Sequence, residues 1–218
     1  MFSKFFHHGA AVCALIVSPI ASHAITTYAS ATDLLLRGSA PGDMAGFYGG
    51  SLFGAFPVAL TDAQARAAVL GAPDGQFLSL PGGPQVPNTA FSGAYVEVSF
   101  GADFSQHNLL TITELGDNHE SAQIFLWTNN GGNFQIVRTR GASDDIVIDL
   151  SSFDPTLLGG TAFSKVGIGG LDENGASKGF DLDAVAITAV PEPSTYALTL
   201  AGLGVIGWLG RRRQRHAA

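Results

Sequence analysis

The chain reads as an all-β protein: an antiparallel β-sandwich with one short helix, flanked by an apolar helical segment at each end. Three observations predict this. From residue 76 onward, short runs of alternating apolar and polar residues recur, parted by Gly, Asn, Asp and Pro. The 218 residues include 28 glycines, and only 13% are charged, too few for a coiled coil or a disordered polyelectrolyte. Helix start and stop signals are confined to one stretch near residue 62 and to the two ends.

The first 24 residues read as a secretory signal peptide. Lys4, His7 and His8 make a basic start, and an apolar run follows from Ala10 to Ile20. Ser22, His23 and Ala24 place small residues where a signal peptidase reads, so cleavage is expected after Ala24. The run is about half the roughly 20 residues that a spanning helix needs. Cys13 lies inside it behind a bulky Val12, which does not suit lipid attachment. Cleavage removes this single cysteine, so the mature chain depends on no disulfide.

Residues 25–189 form the expected exported domain. Thr26 to Leu36 suits a strand, and Gly38 to Gly54 reads as a glycine-rich loop. Thr61 and Gln64 make a capping box for a helix over Asp62–Leu70, closed by Gly71. Eight strands follow: Gln76–Leu80, Ala94–Phe100, Leu109–Leu115, Ala122–Thr128, Phe134–Arg138, Asp145–Leu150, Phe163–Ile168 and Phe180–Thr188. Val96, Val98 and Phe100 alternate with Tyr95, Glu97 and Ser99, the period of a half-buried strand. Thr128–Asn133 is a hairpin signal, because its Asn and Gly residues tolerate positive φ. Short strands on short loops are most simply accommodated as a jelly-roll-like sandwich.

The C-terminus has three parts. Val190–Ser194 is a stiff extended segment containing Pro191, Glu192 and Pro193. Tyr196 to Leu209 carries no charge and is expected to form a transmembrane helix. Arg211, Arg212, Arg213 and Arg215 follow, as in a stop-transfer sequence held on the cytoplasmic side. This order over residues 190–215 resembles the PEP-CTERM sorting signal of exported proteins in Gram-negative bacteria that make exopolysaccharide. The resemblance implies that exosortase recognises Pro191, Glu192 and Pro193, removes the helix and passes the protein to the cell surface or extracellular matrix. The helix is then a temporary membrane anchor and the arginines a retention cluster. A permanently anchored envelope protein is the alternative. Gly202, Gly204 and Gly207 match a dinucleotide-binding spacing, but without the acidic residue some 20 positions on they read as packing residues of a membrane helix.

Charge separates the ends from the domain. The whole chain carries −7, but residues 25–189 hold six of the 11 Lys and Arg and 17 of the 18 Asp and Glu, a formal charge of −11. Nucleic acid is therefore not an expected partner. The segments Gly71–Gly75, Val96–Phe100, Asn130–Phe134 and Gly179–Val185 resemble a β domain often found before such tails, similar to galactose-binding-like jelly rolls and carbohydrate-binding modules. This resemblance implies a binding or matrix module, with a structural calcium in many members, and does not imply an enzyme; a non-catalytic role with extracellular polysaccharide as the partner is the expectation.

The residues themselves support the same expectations. Asp181 and Asp183 fall two apart on the last strand, about 7 Å by the strand rise, and Asp74 sits in a Pro-Asp-Gly turn. Calcium takes such carboxylates, so these three are the candidate ligands. Asp172–Asn174 lacks the spacing of an EF-hand loop, and Asp117–Glu120 offers cation-binding side chains but reads rather as a solvated loop. Ser177 lies in a Gly-x-Ser-x-Gly pattern but in a polar loop, unlike a nucleophile elbow. Two histidines of the mature chain, His107 and His119, make no zinc motif. Glu97, Glu114 and Glu120 are the carboxylates that a carbohydrate-active enzyme on this scaffold would draw on. Tyr95 and Trp127 are the aromatics to stack on a sugar, and Trp127 equally suits the core.

Overall fold

The alternating runs pair into two antiparallel sheets whose apolar faces meet. The computed structural model describes residues 24–37, 46–51, 57–82, 93–115, 120–139, 145–171, 179–190 and 198–208. Its strands are β1 (Thr26–Tyr28), β2 (Ala31–Leu36), β3 (Phe47–Ser51), β4 (Val58–Leu60), β5 (Gln76–Leu80), β6 (Tyr95–Ser99) and β7 (Asn108–Glu114). These continue with β8 (Ser121–Thr128), β9 (Asn133–Thr139), β10 (Asp145–Asp149), β11 (Phe163–Gly170) and β12 (Phe180–Ala189). One sheet runs β10-β7-β12-β5-β3-β4, with β1 beside β12; the other runs β2-β6-β11-β8-β9. Two short 3₁₀ turns, Leu150–Ser152 and Pro155–Leu158, follow β10. All eight strands expected after residue 76 are present, and the arrangement is compatible with a jelly roll.

The core lies between the sheets. Leu78, Leu80, Leu110, Ile112, Phe180 and Leu182 enter it from the larger sheet, and Val96, Val98, Ile124, Leu126, Val166 and Ile168 from the smaller. Each is almost fully buried, and each such side chain contributes about 1.5–3 kcal/mol by leaving water. Of the described residues, those from 24 to 190 belong to one compact unit and the helix of residues 198–208 to a second.

Four local differences from the sequence reading have physical causes. The strand expected over Thr26–Leu36 is broken at Ala29 and Ser30. There the chain changes sheets: the Ala29 N–H donates to Val185 and the Ser30 N–H to Ser99. Inside the expected loop, Phe47–Ser51 is a strand. Its glycines hid it, and Gly49 is required, because a Cβ there would collide with the Phe77 carbonyl oxygen. The capping box of α1 (Asp62–Ala67) is formed as expected, but the helix ends three residues early in a turn before Gly71, whose φ is 86°.

The fourth difference bears on the candidate metal ligands. The β12–β7 register shifts between Leu182 and Ala184, the mark of a β-bulge. The core-facing residues of β12 accordingly switch from Phe180 and Leu182 to Val185 and Ile187. Asp183 sits where the alternation changes phase, so strand spacing does not fix its relation to Asp181.

A helix spans residues 198–208, within the Tyr196–Leu209 run, with Leu198, Ile206 and Trp208 exposed. Among the described residues no helix is long and apolar enough to cross a membrane.

Candidate functional site

The outer face of the five-stranded sheet carries a connected polar and aromatic network. Since Val96 and Val98 of β6, Ile124 and Leu126 of β8, and Val166 and Ile168 of β11 face the core, alternation turns Tyr95, Glu97, Phe125, Trp127, Lys165 and Gly167 to the other side. Register brings them together: Gly167 lies between Glu97 and Phe125, and Lys165 beside Trp127. The Trp127 Nε1–H donates to the Tyr95 hydroxyl oxygen at 3.0 Å. That hydroxyl donates to Glu97 Oε1 at 3.0 Å, and Lys165 Nζ pairs with Glu97 Oε2 at 2.9 Å. Tyr95 meets Phe125 edge to face at 5.4 Å, and Lys165 Nζ stands 5.9 Å from the Trp127 ring centre.

Gly167 makes this packing possible, because a Cβ there would collide with the Tyr95 hydroxyl and ring. Burial pushes the Tyr95 hydroxyl well above its usual range; the Trp127 donor opposes this, and Glu97 adds to it. Tyr95, Phe125 and Glu97 are nearly buried, whereas Trp127, Gln123 and Lys165 are half-buried and Gln135 is exposed. Gln123 Nε2 donates to Gln135 Oε1 across β8 and β9 at 3.0 Å. Chemically this is a half-buried indole held in place by nearly buried aromatic rings, with one cation and two amides beside it. The sequence named Tyr95 and Trp127 as stacking candidates, with the core an equal place for Trp127. It missed Lys165, whose pairing with Glu97 spans 68 positions of chain.

The three candidate metal ligands do not form one site. Asp183 is 3% exposed, and its two oxygens accept backbone N–H groups of Asp74 at 3.3 Å and Gly75 at 3.1 Å. Asp74 Oδ1 in turn accepts the Gln76 N–H at 2.8 Å. Burial raises the Asp183 carboxyl, the two backbone donors lower it, and the Asp74 charge raises it again. These two residues thus hold the Gly71–Gly75 turn against β12. Asp74 also borders a 330 Å³ cavity lined by Val58, Leu60, Gln64, Gln76 and Phe77 among others.

Asp181 acts elsewhere, in the field of Glu120, together with Glu114. Glu114, Glu120 and Asp181 are 0%, 2% and 2% exposed. Glu120 is therefore no part of a solvated loop. It stands in phase with the core residues Ala122, Ile124 and Leu126, as Glu114 does with Leu110 and Ile112. Extending those alternations by one step would have found both. Neither carboxylate oxygen of Glu120 finds a hydrogen-bond donor among the described residues. Burial, then the facing Glu114 carboxyl and the charges of Glu114 and Asp181, push Glu120 up to about 9; the nearby Asp181 backbone N–H pulls weakly the other way. Among the described residues no three His, Cys, Asp or Glu side chains already form a metal-binding group.

Ala24 is exposed just before β1. Pro191, Glu192, Pro193, Arg211, Arg212, Arg213, Arg215, Asp117, Asn118, His119, Asp172–Asn174 and Ser177 lie outside the described residues.

The structure thus defines a β-sandwich protein with a separate C-terminal segment. Residues 189–214 match the PEP-CTERM protein-sorting motif. The chain carries the sorting signal of exosortase substrates, which makes it an exported protein, membrane-anchored as a precursor and processed by exosortase. No curated protein matches the chain.

Proposed function

We propose that the processed protein works at the cell surface or in the extracellular matrix as a non-catalytic module that binds extracellular polysaccharide. The observation that carries this reading is the Trp127–Tyr95–Glu97–Lys165 network on the outer sheet face. Its half-buried indole offers a ring for the apolar face of a sugar, and Gln123, Gln135 and Lys165 offer donors for hydroxyls around it. Packing and hydrogen bonds hold the indole in place, so little side-chain freedom is lost on binding.

A glycosidase on the same scaffold needs two carboxyl groups in an open groove. Glu114 and Glu120 are shut from solvent, and Glu97 is occupied by Tyr95 and Lys165. These features favour binding over catalysis. The test is co-sedimentation of the purified exported protein with polysaccharide from the producing cells. Retention of the wild-type protein, with at least about tenfold weaker retention of Trp127→Ala, is expected. Equal retention of both proteins removes the outer face as the binding surface.

A further inference from the structure

We propose that Glu114 and Glu120 hold a divalent cation, calcium, where the chain crosses from one sheet to the other, with Asp181 adding negative charge beside it. Glu114 ends β7 in the larger sheet, and Glu120 immediately precedes β8 in the smaller. A cation held by both therefore clamps the two layers together beside the core. This is a different place from the Asp74–Asp183 turn, where the oxygens of Asp183 already accept two backbone donors.

Glu120 is the group left incomplete. A carboxyl group 2% exposed, with neither oxygen meeting a donor among the described residues, is costly unless something absent from the protein chain completes it. What it faces is another buried carboxyl, that of Glu114, and the charge of Asp181. Two such groups share one site only with a proton or a cation between them. Carboxylate oxygens, with no thiolate or imidazole beside them among the described residues, define a hard site, suited to calcium rather than zinc. Calcium accepts irregular oxygen sets and completes its shell with backbone carbonyls and water. No group of three such side chains is formed among the described residues, so the two glutamates supply up to four oxygens and the rest of the shell falls to backbone carbonyls and water. An exported protein also meets calcium at concentrations at which sites with dissociation constants of about 10⁻⁴–10⁻³ M are filled.

The test is calcium chloride titration of the purified exported protein after chelator treatment and desalting, followed by calorimetry and by thermal melting at pH 7. One calcium per chain is expected, with a higher melting temperature when it is bound. Glu120→Gln should weaken binding by more than about tenfold and abolish the calcium-dependent melting shift. In chelator the same variant should melt at or above the wild-type temperature, because its amide donates to Glu114 without calcium. Should that variant fail to fold, Glu114→Gln and the wild-type stoichiometry carry the test. Three results overturn the proposal: no calcium bound by the wild type, binding untouched by Glu120→Gln, or loss of binding on Asp183→Asn alone. The first, with wild-type melting indifferent to calcium, means that the two glutamates share a proton instead.

Discussion

Glu97 and Glu120 are both withdrawn from water, at 7% and 2% exposure, and both belong to the smaller sheet or its entry. Their surroundings differ. Glu97 lies on the outer face with one oxygen on the Tyr95 hydroxyl and the other on the Lys165 ammonium. Glu120 lies on the inner side, against Glu114 and the charge of Asp181, with no donor among the described residues for either oxygen. A carboxylate completed by its own chain serves to fix its neighbours, here the aromatic surface. A carboxylate left incomplete is where a proton or an external ligand enters the structure.

The largest expected effect comes from dismantling the completed site. Glu97→Ala takes the acceptor from Tyr95 and the partner from Lys165. With Lys165 partly exposed, a loss of about 2–3 kcal/mol is expected in chemical denaturation. Gly167→Ala should cost about 1–2 kcal/mol, because the Tyr95 ring must move off its seat. A drop in Trp127 fluorescence anisotropy in that variant would show the indole loosened from the Tyr95 hydroxyl.

Smaller effects are expected elsewhere. Asp183→Asn replaces one acceptor oxygen with a donor facing a backbone N–H. About 1 kcal/mol is expected, with faster hydrogen exchange confined to the amides of Asp74 and Gly75. A pH effect is also expected in the calcium-free protein. Glu120 is raised from 4.5 to about 9 on folding by burial and by Glu114 and Asp181, so the folded state holds a proton that the unfolded state releases. That stabilisation is complete below about pH 4.5 and is lost as pH rises toward 9. Melting in chelator should therefore fall across this window, and Glu120→Gln should flatten the slope. An unchanged slope in the variant would assign the proton to another group.

The comparison also shows how far the sequence is legible. Period-two alternation located every strand from Gln76 to Ala189, because each has one face on the core. It failed at β3, where Gly49 is dictated by the Phe77 backbone of a neighbouring strand. It failed again at Asp183, where a bulge changes the phase. On the candidate site, Tyr95 and Trp127 were readable as candidate stacking aromatics, Trp127 equally as a core residue, and their link to Lys165 depends on β6–β11–β8 register. Glu120 was misread because its polar neighbours Asp117, Asn118 and His119 outweighed its own place in the Ala122–Ile124–Leu126 series. Local composition signals solvent, whereas only the strand phase reveals an inward carboxylate.

On the proposed function, the acidic sandwich is the part that acts outside the cell and the C-terminal segment is an address. Intact-mass measurement of the protein recovered from outside the producing cells tests this most directly. The expected chain begins at Ile25 and lacks the helix of residues 198–208 and the arginines after it. A recovered chain that still extends through Ala218 would contradict it and make the protein a permanently anchored component of the envelope.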